Sequence, residues 1–502
     1  MQVAAWEFTN MTRRILEQQP AARASPAQSS SSPLQASSRQ IFSTGFGIAI
    51  RSKDDDDSVT SEDVAATKKT FYTIIKAGLL IPGDGEPLED GALVIENKLI
   101  AWVGAQGDIP EKYTDANHRS FSVPFLMPGL WECHAHFAGI GEESAPLGFL
   151  ALHTEHPAAC GARLAKMCWE SLQRGYTSVR DMAGYGCEVA QAVNNGAIVG
   201  PNIYSAGAGL SQLAGHGDIF NLPAGDVLSN LGVSNSKPGQ FGTGAICIVD
   251  GVDECRRGVR LQIRRGAKCI KIMASGGVMS LDDNPLYAQF CKDELDAIVE
   301  EATRMNRAVA AHVHGKPGII AAVNAGVTTI EHVSYADQEC IDLIKEKGTV
   351  FIATRTVVEK LLATKGKGLP KKVWEKAKLV SRNAENAYKL AIKAGIPCAL
   401  GTDTDPGFNQ AVELEYAVQA GMSNLEAIKA ATANGPLTVG GQAPKSGQLK
   451  TGYEADILGL TENPVEDVKV LQKKDVVEWV WKGGKIFKGP GIGPWGEDYV
   501  MD

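Results

Sequence analysis

The sequence predicts an α/β fold: a (β/α)₈ barrel over residues 125–440, with a smaller β-sandwich-like domain built from the flanking segments 70–124 and 441–490. Three observations predict it. Between 125 and 440, eight apolar strand-like segments alternate with helical patterns, which favours a parallel barrel over an open sheet. Gly175, Gly266, Gly326, Gly348 and Gly395 stand where helices end and strands begin, as C′ glycines do. Short strands with turn residues between them occur at both ends of the chain, and pairing the two ends removes exposed strand edges.

Taken in order, residues 1–69 read as an appended arm that is disordered or carries targeting information. The run Ala24–Ser38 is rich in Ser, Pro, Ala and Gln, and Asp54–Asp57 is a block of four acids, a composition with too little apolar surface to fold alone. The first fifty residues hold Arg13, Arg14, Arg23 and Arg39 against Glu7 and Glu17 as acids. Two readings stay open: a mitochondrial transit peptide processed near Arg39–Thr44, and an unstructured tail or mispredicted first exon, leaving a cytoplasmic or mitochondrial location. No charged segment followed by an apolar one marks a secretory signal.

Strands are expected at 73–75, 91–95 and 99–103 in the first flank and at 455–460, 476–481 and 485–487 in the second, with 491–502 as a tail. The inserted strands are 123–130, 176–179, 202–205, 269–273, 308–311, 328–330, 350–353 and 397–400. Leu295, Ile298, Val299 and Ala302 follow the spacing of an amphipathic helix, and Ser423 with Glu426 forms a capping box.

The 502 residues are 44% hydrophobic and 22% charged with a net charge of −8, which gives no reason to expect nucleic acid or an anionic membrane as partner. No apolar run approaches the ~20 residues of a membrane-spanning helix. Ten cysteines without a Cys-x-x-Cys pair read as small buried apolar residues in a reducing setting.

Chemistry is expected where barrel strands end. The first expected strand runs into His134 and His136, which at i and i+2 share one face and suit a zinc-like ion, or are two unrelated polar residues. The other strand ends bring Lys271, His312, His314, Glu331, His332 and Asp403. A lysine ammonium conflicts with nearby cations, so Lys271 either points outward or adds CO₂ to become an anionic carbamate able to bridge two metals. Asp403 serves a metal and a proton, or caps a turn. His216, in a long loop, and His314 are open between substrate contacts and structural hydrogen bonding. Met273, Met279, Phe220, Tyr287 and Trp131 are candidates for an apolar pocket wall or plain core.

On these residues the chain resembles the metal-dependent amidohydrolase superfamily. More narrowly it is similar to the fungal amidases that cleave ochratoxin A, through Ala77–Pro87, Leu213–Asp218, Ile270–Ser280, Ala311–Gly315 and Gly489–Asp498. The resemblance covers roughly residues 72–498. It implies two divalent ions, zinc by preference, with His134 and His136 on the first and His312 and His332 on the second. It also implies N6-carboxylysine at Lys271 bridging both, and Asp403 on the first metal and the attacking water. The implied reaction is hydrolysis of a small-molecule amide to a C-terminal amino acid, ochratoxin A giving ochratoxin α and L-phenylalanine. A general carboxypeptidase or dipeptidase, and a non-catalytic scaffold of the same fold, are the alternatives. Assembly into homo-oligomers, octamers among them, and secretion rest on the resemblance alone.

Overall fold

The structure is a computed structural model and describes residues 40–44, 47–51, 71–141, 143–235 and 244–497. Residues 1–68 and 69–502 are separate units. In the first, β1 (Gln40–Thr44) and β2 (Gly47–Arg51) form an antiparallel hairpin; the expected Ser/Pro-rich run and Asp54–Asp57 lie outside the described residues, as do residues 1–39 of the expected targeting arm.

In the second unit, both ends of the chain share one sheet. Its strands are β3 (Tyr72–Leu80), β4 (Leu88–Glu96), β5 (Leu99–Ala105) and β6 (His118–Pro128). The parallel strands that follow are β7 (Leu130–Ala135), β8 (Tyr176–Asp181), β9 (Asn202–Ser205), β10 (Gly209–Ser211), β11 (Ile246–Ile248), β12 (Cys269–Met273), β13 (Ala308–Val313), β14 (Thr329–His332) and β15 (Val350–Ile352). The chain returns to the first sheet with β16 (Ile457–Leu460), β17 (Val477–Lys482) and β18 (Lys485–Lys488), in the order β18-β17-β16-β6-β3-β4-β5. The join is the antiparallel pairing of β16 with β6. Ile75, Leu93, Leu126, Ile457 and Trp481 from its strands join in one buried cluster, and edge strand β5 is bridged to Glu454.

Two expectations change here. The apolar run 123–130 is not one strand: Val123–Pro128 completes β6 in the first sheet, and β7, which carries His134, begins after Gly129. Every residue from Leu126 to Ala135 is buried across the break, so the apolar pattern hides it. The expected eighth strand, 397–400, has only bridge-like links. Pro397 lacks an N–H, yet its carbonyl accepts from Phe351 N at 2.9 Å and Cys133 N donates to Leu400 O at 2.9 Å. That segment therefore lies between β15 and β7. On the other side, β7-β8-β9 form one parallel sheet and β11-β10-β12-β13-β14-β15 another, with Lys268 N donating to Ser205 O at 2.7 Å between them. β11 is an addition the sequence pattern does not announce.

Helices follow the strands. The helix Lys292–Arg304 buries Leu295, Ile298 and Ala302, and the helix Asn424–Ala430 starts on the Ser423/Glu426 capping box. Residues facing the helices (Ile270, Ile272, Val309, Ala311, Ile330) join the main core, while Trp131, Cys133, Tyr204, Cys269, Ala310, Ile352 and Ala399 form a second cluster on the opposite side of the same strands. Among the described residues no helix is long and apolar enough to cross a membrane.

Candidate metal centre

His134, His136, His312, His314, His332 and Asp403 gather at the C-terminal side of the parallel strands, with Lys271 reaching them from the middle of β12 and His216 from the loop after β10. His134, His136 and Asp403 bring ligand atoms within 4.8 Å of one another. Asp403 reaches this place because its N–H donates to His134 O at 2.7 Å and its backbone takes a φ of 57°. Gly401 permits the approach, since a Cβ there would lie 2.6 Å from the His134 backbone nitrogen. His136 Nε2 is 2.9 Å and His134 Nε2 3.7 Å from Asp403 Oδ1. Lys271 points inward, not to solvent: it is 1% exposed, with Nζ 3.5 Å from His134 Nε2.

Four more histidines pack around this trio, His216 on His312 and His314 on His332 as stacked pairs and His332 edge-on to His312. Ring centroids are 4.6 Å apart for His312 and His332, 5.1 Å for His134 and His332, 5.1 Å for His314 and His332, and 4.3 Å for His216 and His312. His332 joins them against the strand's own period. Ile330 faces the helices and Glu331 the opposite side, so alternation alone would turn His332 toward the helices. A φ of 71° at His332 and 54° at Val333 turns it back. Such left-handed backbone at a bulky residue costs about 1–3 kcal/mol and concentrates at functional sites.

Each ring is oriented by a partner on one nitrogen. Glu331 Oε2 lies 2.7 Å from Nδ1 of His134, the Ala183 carbonyl 3.2 Å from Nδ1 of His136, and the Thr354 hydroxyl 2.6 Å from Nδ1 of His332. Ser334 faces His314 Nδ1 at 2.8 Å and Ser280 faces His216 Nδ1 at 2.9 Å. His312 is reversed, with Nε2 3.2 Å from the Gly276 carbonyl. The donor set therefore fits a divalent metal: ring nitrogens left free by these partners, a carboxylate, and ligand atoms at close quarters.

Electrostatics keep His134, His312, His314 and His332 neutral, the form that ligates. Burial pushes the pKa of His134 down to about 4 and that of His314 to about 3, and holds His312 and His332 well below the usual range; Lys271 reinforces the shift at His134, and neighbouring rings at the others. Burial also brings Lys271 down to about 8, against the pull of Glu331 and Asp403. At His136 burial is outweighed by Asp403, so its pKa rises. Burial opposes ionisation of Asp403, but His134, His136 and Lys271 hold it far below the usual carboxylate range.

Of the residues read as pocket wall or core, Trp131 is core: it is buried and stacks on Tyr204 at 5.0 Å in the inner cluster. Its position at the start of β7, away from the strand end, explains this. Met273 is buried, Phe220 half-buried, and Met279 and Tyr287 are exposed. The sequence pattern does not announce the orienting residues Thr354, Ser334 and Ser280, nor Arg180, which pairs with Glu331, Glu132, whose Oε1 accepts from His134 N at 2.8 Å and Thr402 N at 2.9 Å, or Asp283, 3.5 Å from His216 Nδ1. Only Glu331, adjacent to His332, carried a signal.

This fold and site define the class. The chain belongs to the amidohydrolase family, whose match spans residues 125–487. It is 61% identical over 436 residues to the ochratoxinase of Aspergillus niger, covering 87% of this chain and 90% of that protein. The crystal structure of A. niger ochratoxinase superposes with a TM-score of 0.84 over 86% of this chain and 99% of that one. A prolidase solved with N-methylphosphonate-L-proline matches with a TM-score of 0.73 at 31% identity, over 83% of this chain and 100% of that one. The chain is a hydrolase acting on amide bonds.

Proposed function

We propose that this hydrolase cleaves an amide bond to a C-terminal amino acid, with ochratoxin A as substrate and ochratoxin α and L-phenylalanine as products. The convergence of His134, His136 and Asp403 beside inward-pointing Lys271 carries the reading; the 61% identity to A. niger ochratoxinase supports the substrate. We read the backbone links β7-β8-β9/β10-β12-β13-β14-β15-(397–400)-β7 as a closed (β/α)₈ barrel, with residues 125–440 as the hydrolase domain.

The residues fit two divalent ions, zinc by preference: His134, His136 and Asp403 toward one, His312 and His332 toward the other, and a carboxylated Lys271 toward both. When bound, such ions make water nucleophilic near neutral pH and polarise a carbonyl. Asp403 accepts the proton of the attacking water on its carboxylate and returns it to the departing amine nitrogen. His314 and His216, each fixed at Nδ1, present Nε2 to the substrate carbonyl or carboxylate. The stacked, buried rings exclude bulk water from the reacting centre.

The test is metal content of the pure protein measured beside hydrolysis of ochratoxin A and a panel of simple N-acyl amino acids. Metal uptake with preference for the toxin supports the proposal; a preference for small acyl groups overturns it in favour of a general carboxypeptidase or dipeptidase. That second reading draws support from the likeness to the prolidase. Removal of metal by a chelator should abolish hydrolysis, and readdition of zinc restore it. We extend the proposal to assembly as a homo-oligomer, octameric by resemblance, read by sedimentation.

A further inference from the structure

Beneath the histidines lies a buried ion pair, Arg180 with Glu331, that takes no part in the chemistry proposed above. Its donor pattern constrains His134. Glu331 Oε1 accepts from Arg180 Nη2 at 2.8 Å and from the Thr329 hydroxyl, whereas Oε2 faces His134 Nδ1 at 2.7 Å and Arg180 Nη2 at 3.0 Å. Thr329 Oγ1 itself accepts from Arg180 Nη1 at 3.0 Å, which leaves its hydrogen for Glu331. Arg180 is fixed in turn by the carbonyls of Cys133 and Thr438. A guanidinium carries donors only, so Arg180 Nη2 asks for an acceptor at both carboxylate positions, more closely at Oε1 (2.8 Å) than at Oε2 (3.0 Å).

We propose that Arg180 and Glu331 act together as a tautomer lock on His134. They are positioning residues that keep the ring proton on Nδ1 and turn the Nε2 lone pair toward the site centre, where Lys271 Nζ lies 3.5 Å away. The proposal rests on the metal-centre reading given above. A free choice of tautomer would leave Nε2 carrying hydrogen part of the time, and a protonated nitrogen is no ligand.

The geometry gives an inverted order for two substitutions. In Glu331→Gln, the shorter Arg180 contact and the Thr329 hydroxyl, whose hydrogen has no other acceptor once Arg180 Nη1 holds its oxygen, draw the amide oxygen to the Oε1 position, and the NH₂ falls opposite His134 Nδ1, with Arg180 Nη2 at the longer distance. Two donors then face each other, and the ring relieves the conflict by moving its proton to Nε2. Glu331→Ala introduces no such donor, although it leaves a gap. Adding Arg180→Met to Glu331→Gln frees the amide to turn over, with its oxygen on Nδ1–H and its NH₂ on Thr329 Oγ1.

The experiment strips the full chain of metal, titrates it with zinc and measures bound zinc by elemental analysis, with a thermal melt for each variant. Glu331→Gln should bind zinc about 10–100-fold more weakly than wild type and more weakly than Glu331→Ala. The double variant Glu331→Gln/Arg180→Met should recover most of that loss. A role limited to filling space predicts the opposite: glutamine better than alanine, and no recovery in the double variant. Either outcome overturns the lock. Wild-type protein that takes up no zinc overturns the metal-centre reading, and the lock with it. If Glu331→Gln does not fold, Glu331→Ala is compared with the double variant: equal or tighter binding by the double variant supports the lock, and weaker binding overturns it.

Discussion

The two sides of the site are built from the same ring and differ in what surrounds it. Around His134 and His136 stand full charges: Glu331, Asp403 and Lys271, with Arg180 behind. Around His312, His314 and His332 the partners of the ring nitrogens are hydroxyls and a carbonyl, from Ser334, Thr354 and Gly276, while His216, at the edge, has both the Ser280 hydroxyl and the Asp283 carboxylate near Nδ1. The first side therefore holds the groups that can carry charge through a reaction. On the second, His312, His314 and His332 are imidazoles that burial and neighbouring rings keep neutral, suited to ligating and holding but not to moving protons.

The sharpest way to break this division is at the residue both sides share. Lys271→Ala should reduce hydrolysis to background and lower metal content, with partial recovery from a short carboxylic acid plus zinc; an unmodified Lys271 in a fully active enzyme, seen by mass spectrometry, would refute the carbamate. Next, Asp403→Asn removes the proton carrier on the charged side and should lower kcat by ~10²–10⁴-fold, more than it raises KM. On the neutral side, Thr354→Val leaves His332 Nδ1 without its hydroxyl and should weaken metal binding by about 10-fold, at the low end for such partners. Equal losses in Asp403→Asn and Thr354→Val would erase the distinction.

A control outside the site gives the smallest effect. Glu301 is buried like Glu331 and also faces arginines, Arg256, Arg260 and Arg304. Its pKa is lowered to about 2, chiefly by the hydrogen bond from Arg260, against opposing burial. A folded-state pKa below the unfolded value contributes stability that is complete above about pH 4.5 and is lost as pH falls toward 2. Arg260 and Arg304 are more than half exposed, so screening reduces the contribution to about 1–2 kcal/mol. Glu301→Gln should lower stability by that amount in urea melts at pH 7, flatten the acid limb of the stability curve, and leave zinc binding unchanged.

Much of the site could be read before any coordinates, because strand ends are marked by short apolar runs and metal-suited residue types follow them. His134, His312 and Asp403 were legible in this way, as was an inward Lys271 once its place inside a β-run was noticed. The orienting shell was not. Arg180 lies inside a strand where an outward, solvated arginine is the ordinary expectation, and Thr354, Ser334 and Ser280 are common residues whose partners lie 20 to 64 positions away. The break between β6 and β7 was hidden for a related reason. Apolar pattern reports burial, and both strands are buried although they belong to different sheets.

The sequence by itself determined the alternation of strands and helices, because period and turn chemistry are local, and it determined which residue types stand at the strand ends. Only the tertiary structure decided that Glu331 and His332, neighbours on one strand, both face the centre. Alternation forbids it, and left-handed backbone at His332 and Val333 permits it. Packing among the parallel strands holds that conformation against its local cost, a balance that no local stretch of sequence contains.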